Sequence, residues 1–364
     1  MEALTVSLTE SLAALRGRRV LITGDTGFKG SWLAHWLQLA GADVTGLALP
    51  PHTSPSHFDL LDLRSRITHV DCDIRDASAL HGHVRRIEPE VVFHLAAQAL
   101  VRRSYADPVE TFTTNVIGSL NVLEAVRTVT SVAALVYVTS DKCYLNKEWQ
   151  RGYHENDELG GRDPYSASKA AAELAYATYC RSYFDDDTRL RVASARAGNV
   201  VGGGDWSPDR LVPDCMRGLI DSGEIVLRRP EATRPWQHVL EPLSGYVMLA
   251  GNLLAGKMRG GDSWNFGPDE NNVHTVHEVA TLARDTWGSG QVRIEPDTSA
   301  MHEATLLQLN CDKAHRELLW SPRFDFETTI HRSVEWYRRV HTGTPAPEAT
   351  TSDIEAYMGG VTSW

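Results

Sequence analysis

Cysteine is scarce in this chain: five residues, Cys72, Cys143, Cys180, Cys215 and Cys311, lie far apart with no C-x-x-C pair. An odd, dispersed set excludes a disulfide framework and predicts reduced, buried thiols, as in a cytoplasmic protein. Long apolar runs are missing as well, which excludes a membrane-spanning helix. The opening residues, MEALTVSLTESLAALRGRR, carry acids and lack an apolar core, so no secretory leader is expected. Positive charge is in deficit, 36 Lys+Arg against 47 Asp+Glu, a net charge of −11. That balance argues against a nucleic-acid or polybasic membrane-surface binder, but not against a local cationic pocket for a small anion. Closely spaced metal ligands are also few. His81 and His83, and His274 and His277, have suitable spacing but no cysteine or carboxylate companion, so no metal is expected.

What is present is ordinary globular composition, 42% hydrophobic and 23% charged, in 364 residues, enough for about two domains. Apolar runs at 18–24, 42–49, 67–74, 91–97, 135–140 and 191–200 read as strands. Helical spacing at 28–41, 76–89, 108–127 and 165–183 alternates with them. This alternation predicts an α/β fold, a Rossmann-type doubly wound parallel sheet. After residue 200 the pattern becomes irregular and rich in Gly, Pro and Trp, as in a smaller substrate-binding lobe. The expected division is 15–200 for the dinucleotide-binding domain, with about 240–265 returning to it. The interleaved C-terminal lobe then takes 201–239 and 266–341, and 342–364 form a tail, flexible at TGTPAPEATT. Trp32 and Trp36, on the first helix of the domain, read as packing residues.

Three motifs carry chemistry. GDTGFKG sets Gly24, Gly27 and Gly30 between the first strand and its helix, where glycine permits a tight turn and the helix N-terminus offers N–H groups to a pyrophosphate. The second strand ends Gly46-Leu47-Ala48 without the usual ribose-binding acid, and Lys29 lies where a 2′-phosphate could be reached, which leaves NAD and NADP both open. Asp73 suits an adenine contact or a solvated loop acid equally. The second motif, DPYSASK, puts Tyr165 and Lys169 on one helical face. A phenol with a pKa near 10 needs about three units of help to act as a base near neutrality, and a fixed cation with a positive nicotinamide ring favours the phenolate. The third, VTSDKCY, sets Ser140, Asp141 and Lys142 at the carboxyl end of a strand, facing the ligand crevice. Neighbours in an extended segment point to opposite sides, so Asp141 and Lys142 need not pair.

Together with VVFHLAAQALVRRSYADPVETFTTNVIGSLNVLEAVR, RAGNVVGGGDWSPDRLVPD, RPWQHVLEPLSGY and WNFGPDE, these motifs resemble the CDP-glucose 4,6-dehydratases over residues 15–340. Those are extended short-chain dehydrogenases/reductases acting on nucleotide-sugars. The glycine loop, HLAAQ and Tyr-x-x-x-Lys are generic to the superfamily; TSDKCY, GGGDW and RPWQHVLEP discriminate this branch. The resemblance implies NAD as cofactor, held by Gly24, Gly27, Phe28, Lys29, Gly30, Asp73, Ile74, Ala96, Ala97, Gln98, Asn115, Thr139, Tyr165 and Lys169. It implies that Tyr165 removes the sugar O4 proton with Ser140 as partner, and that Asp141 is the general acid. Lys142 stands where dTDP-glucose dehydratases carry glutamate. A lysine must lose a proton to act as a base, against a reference pKa near 10.4, so Lys142 is either the C5 base or a charged stabiliser of the enolate.

For the substrate the implied contacts are Asn199, Arg210, Arg234, Gln237 and His302, the arginines because a guanidinium suits bidentate phosphate binding. Glu303 shares the segment of His302. A C4 epimerase of the same superfamily needs Tyr165 and Lys169 but no acid–base pair after Ser140. A dehydratase acting on dTDP-glucose or a UDP-N-acetyl sugar is the other alternative. A silent NAD-sensing regulator would be expected to lose Ser140, Tyr165 or Lys169. By resemblance, the helices at 108–127 and 165–183 form a homodimer interface.

Overall fold

A computed structural model describes residues 5–185, 187, 189–269, 273–295 and 307–359. Six strands run in chain order as β1 (Arg19–Thr23), β2 (Asp43–Ala48), β3 (Thr68–Asp71), β4 (Val91–His94), β5 (Ala134–Val138) and β6 (Arg191–Ala197). A further strand, Ser263–Phe266, pairs parallel to β6. The sheet is parallel throughout, in the order Ser263–Phe266, β6, β5, β4, β1, β2, β3. The chain reverses direction across the sheet between β1 and β4, which opens the ligand crevice at their carboxyl ends.

Alternate side chains along each strand enter two cores, one per face. Val20, Ile22, Phe93 and Val136 pack with Trp32 and Trp36 on one side. Leu21, Val92, Leu135 and Tyr137 pack with Val122, Leu123, Val126 and Tyr176 on the other. Burial on both faces is why these strands read as continuous apolar runs. All five cysteines are buried and unpaired. No described helix is long and apolar enough to cross a membrane.

Beyond β6, the helix Leu240–Leu254 is buried almost throughout and packs against β5 and β6. Outside the main sheet, Glu224–Leu227 pairs with Gln291–Ile294, and Thr233–Pro235 with Val273–Thr275. The helices Leu211–Asp221 and Val276–Trp287 lie beside the first of these pairs.

The segment read as a flexible tail is instead a helix, Ala346–Tyr357. Pro347 stands in its first turn, where no N–H needs an intrahelical acceptor, so the prolines start the helix rather than prevent it. Ala346, Ala349, Ile354 and Tyr357 are buried, and the Tyr357 ring meets Trp36 edge-on at 6.0 Å. Residues 360–364 lie outside the described residues.

Candidate active site

The turn after β1 is shaped by two glycines. Gly24 has φ +81°, and a Cβ there would lie 2.7 Å from the Ala96 nitrogen; one on Gly30 would lie 2.0 Å from the Gly24 carbonyl oxygen. The helix Phe28–Leu39 then starts at Gly27, a cap residue with no side chain of its own to satisfy the first N–H groups. An uncapped helix N-terminus at the crevice fits the pyrophosphate of a dinucleotide.

Lys29 does not extend toward the ribose end. Its Nζ donates to the Tyr246 hydroxyl, 3.3 Å away on the helix Leu240–Leu254. Burial, then the charges of Lys169 and Arg210, push its pKa down to about 7, against a raising effect of Asp141. The helical turn points this side chain into the reaction centre, which spacing within the loop could not reveal.

Another arrangement occupies the space beside the acid-free end of β2. The fully buried Asp25 lies against β2, where a Cβ on Gly46 would fall 2.0 Å from its Oδ2. That oxygen pairs with His69 Nδ1 at 2.7 Å, and His69 Nε2 reaches Asp71 at 3.2 Å. Burial alone would lower the His69 pKa, but the two carboxylates outweigh it and raise it. Asp71 is the register partner of Ala48. Asp73 forms an ion pair with Arg75 at 2.6 Å.

After β5 the chain does not stay extended. Asp141–Cys143 is a 3₁₀ turn capped by Ser140. The turn corrects the expectation of opposed side chains: Lys142 Nζ reaches Asp141 Oδ1 at 3.4 Å, and Ser140 Oγ donates to the same oxygen at 2.8 Å. Asp141 is 2% exposed and packs onto Gly198, where a Cβ would lie 2.0 Å from its Oδ2.

Tyr165 and Lys169 enter from the helix Pro164–Tyr179, whose start is fixed by an Asp163–Ser166 capping box. Burial pushes the Tyr165 phenol up to about 12, although the Ser140 hydrogen bond and Arg210 pull it down. The neighbouring cations therefore do not by themselves bring the phenol toward neutrality. Burial lowers Lys169 to about 8, partly offset by Glu173 and Cys143. Arg210 is held by Asp205 at 2.9 Å and is close enough to act on both Tyr165 and Lys29. Among the described residues, no cluster of three or more His, Cys, Asp or Glu could hold a metal ion.

Comparison with known proteins bears on this constellation. The family model described as GDP-mannose 4,6 dehydratase matches residues 21–333. A CDP-glucose 4,6-dehydratase of Salmonella typhimurium is 42% identical over 351 residues, 95% of this chain and 98% of that protein. The chain belongs to the CDP-glucose 4,6-dehydratase family. More distant members of the wider group keep the architecture. A dTDP-glucose 4,6-dehydratase of Streptomyces venezuelae, solved with NAD bound, is 28% identical with a TM-score of 0.73, covering 89% of this chain and 98% of that one. A UDP-glucose 4-epimerase of Mycolicibacterium smegmatis is 29% identical over 88% of this chain and 98% of that protein.

Against this family background, several residues singled out by sequence take structural partners. The Asn115 amide accepts from Gln98 N at 2.8 Å and donates to Gln98 O at 3.0 Å and to Ser168 Oγ at 2.9 Å. This fastens the segment that carries Ala96 and Ala97 to the Tyr165 helix. Ile74 packs where a Cβ on Gly118 would stand, and Thr139 Oγ1 donates to Glu173. Phe28 lies beside Gly202. Gln237 donates to the carbonyls of Gly198 and Phe266, both at 3.0 Å. Asn199 has φ +48°, and its buried Nδ2 has no hydrogen-bond partner among the described residues. Arg234 lies on the strand Thr233–Pro235 and donates to the Thr233 carbonyl. His302 and Glu303 fall outside the described residues.

Sequence reasoning missed Glu173, Arg196, Asp205 and Tyr246. Glu173 had a signal, since it continues the i, i+4 row of Tyr165 and Lys169. Asp205 lay in the GGGDW segment without being assigned a task. Tyr246 likewise closed the RPWQHVLEPLSGY segment without being assigned a task, and a helix buried almost all round shows no distinct face that would single it out.

Proposed function

We propose that this chain converts CDP-glucose to CDP-4-keto-6-deoxyglucose with NAD as cofactor. NAD when bound supplies a hydride acceptor for C4 and returns that hydride to C6. Tyr165 takes the proton of the 4-hydroxyl, Ser140 hydrogen-bonds the same oxygen, and the cations Lys169 and Arg210 favour the phenolate. The 4-ketone acidifies C5–H. Lys142 removes that proton while Asp141 protonates the departing 6-hydroxyl, so that water leaves. Once the hydride is back on C6, Lys142 returns a proton to C5. The proton taken by Tyr165 replaces the one Asp141 gave up, which restores the site and the cofactor.

The observation that carries this assignment is the contact of Lys142 with Asp141 at 3.4 Å, beside Ser140. A proton moved from ammonium to carboxylate turns the pair into the base and the acid that elimination needs. An epimerase has no use for such a pair. Arg210 and Arg234 are the proposed diphosphate contacts, and the 42% identical relative supports cytosine as the base. The buried, unpaired thiols suit a reducing cytoplasm. A homodimer would cover Tyr105, Val109, Phe112 and Leu174, which are exposed on the helices around 101–128 and 164–179; light scattering in solution tests this.

The decisive experiment offers CDP-, UDP- and dTDP-glucose deuterated at C4. The expected product is a 4-keto-6-deoxy sugar labelled at C6, formed fastest from the CDP substrate. Label retained at C4 of a galactose product would establish an epimerase instead. Lys142→Met is expected to abolish exchange of the C5 proton with solvent; normal exchange and turnover would remove Lys142 as the base.

A further inference from the structure

Beneath the reaction centre lies a buried ion pair that takes no part in the chemistry described above. Glu173 is two helical turns beyond Tyr165 and 1% exposed; Arg196, in β6, is 3% exposed. Arg196 Nη2 donates to Glu173 Oε2 at 2.7 Å. Burying two charges costs several kcal/mol per ion unless geometry and further hydrogen bonds offset it, so such a pair calls for an explanation. Here the further hydrogen bonds have a pattern. Thr139 Oγ1 donates to Glu173 Oε1, and Ser194 Oγ reaches both carboxylate oxygens at 3.1 Å. Arg196 Nη1 donates to the Tyr144 hydroxyl at 2.7 Å and to the Glu155 carbonyl at 2.9 Å. Tyr144 in turn donates to Asn265 Oδ1 at 2.8 Å.

Thr139 and Tyr144 bracket Ser140, Asp141, Lys142 and Cys143. The ion pair therefore grips the segment bearing the acid–base pair at both ends, while Glu173 belongs to the same helix as Tyr165 and Lys169. We infer that Glu173 and Arg196 are positioning residues, a clamp that fixes the Ser140–Lys142 turn against Tyr165 and Lys169 so that oxidation at C4 and elimination across C5–C6 proceed in one geometry. The inference builds on the dehydratase function proposed above. The helix Pro164–Tyr179 is long and anchored by its capping box, whereas the turn is a single 3₁₀ element. Loosening the clamp thus displaces Asp141 and Lys142 more than Tyr165, and it slows elimination more than oxidation. Glu173 is also a counter-charge for Lys169, whose other charged or titratable neighbours among the described residues include Tyr165 one turn back on the same helix, Cys143 on the 140–143 turn, Lys29 on the glycine-loop helix and His94 on β4.

The test uses Glu173→Gln combined with Arg196→Met, since neutralising both members of a buried pair preserves folding better than orphaning one. Thermal unfolding and NAD binding report that the variant is folded. Rapid mixing with CDP-glucose then follows the fraction of cofactor in the reduced form, with overall turnover measured alongside. The expected result is turnover lower on the order of 100-fold, as for an ångström-scale misplacement, with reduced cofactor accumulating because elimination lags. A second expectation is an alkaline limb of the turnover profile displaced to lower pH, since Lys169 loses its counter-charge. Wild-type turnover and an unchanged reduced fraction in the folded variant would overturn the inference. If the double variant does not fold, Thr139→Val decides, because it removes one grip and leaves the ion pair; a smaller change in the same direction supports the clamp, and an unchanged partition overturns it. Wild-type protein that neither reduces the cofactor nor dehydrates CDP-glucose would refute the functional proposal, a separate outcome.

Discussion

Glu241 offers a measurement that isolates one buried charge. Its side chain is 0% exposed on the helix Leu240–Leu254 and accepts at Oε1 from the backbone N–H groups of Arg323 and Phe324, at 3.0 and 2.8 Å. The Tyr357 hydroxyl donates to Oε2 at 2.7 Å and also meets Ser244 Oγ at 2.9 Å. Burial raises its pKa from 4.5 to about 7, against the lowering effect of those same hydrogen bonds. The folded state thus holds a proton that the unfolded state releases near pH 4.5, and stability falls as pH rises from there to 7. The shift of about 2.5 units corresponds to about 3 kcal/mol, fully present above pH 7 and absent below pH 4.5. Glu241→Gln removes the charge without changing shape. The amide oxygen still accepts from Arg323 and Phe324, and the amide NH₂ can donate to Tyr357, whose own proton turns to Ser244. Urea unfolding at about pH 5 and about pH 8.5 is expected to show near-equal stabilities at the lower value and a variant more stable by up to about 3 kcal/mol at the higher. Asp353, also raised to about 7 by burial, contributes with the same sign in both proteins and cancels in the difference. A variant destabilised equally at both pH values would sink the argument, since it would mean that Glu241 carries no unfavourable charge in the folded state.

Other outcomes follow from the same geometry. Gly198→Ala puts a methyl group 2.0 Å from the Asp141 carboxylate, so dehydration should fall on the order of 100-fold by steady-state assay with cofactor binding retained; normal turnover would refute the close packing. Lys29→Met should stabilise the protein most at pH 6 and progressively less above pH 7, because the wild-type lysine, with its pKa lowered to about 7, is charged and buried on the acid side. Thermal unfolding across that range checks the sign. Deleting residues from 345 onward should lower the melting temperature by uncovering Trp36 and Glu241, which the helix Ala346–Tyr357 covers; an unchanged value would contradict the packing seen.

Much of the fold was legible because a doubly covered parallel sheet writes its strands as apolar runs and its crossovers as helical periods. RVLIT, VVFH and ALVYV are buried on both faces, and their spacing by helices leaves little topological choice. The glycine turn and the Tyr165–Lys169 face are likewise local, set by φ angles and by 3.6 residues per turn. The C-terminal helix was misread for an equally local reason: TGTPAPEATT has loop composition, and only contact with Trp36 and Glu241 gives Ala346–Tyr357 a face to bury.

What the sequence by itself determined was the architecture, the dinucleotide turn, and which side chains could do acid–base work. The tertiary structure alone decided how those side chains meet. It folded Asp141 and Lys142 into a turn that makes them partners, swung Lys29 from the ribose end to Tyr246, and set Glu173 against Arg196, 23 residues along the chain, beneath the turn from 140 to 142. The physical reason is range. Propensity and periodicity act within one or two turns of chain, whereas desolvation and the pairing of buried charges depend on which distant segments exclude water together.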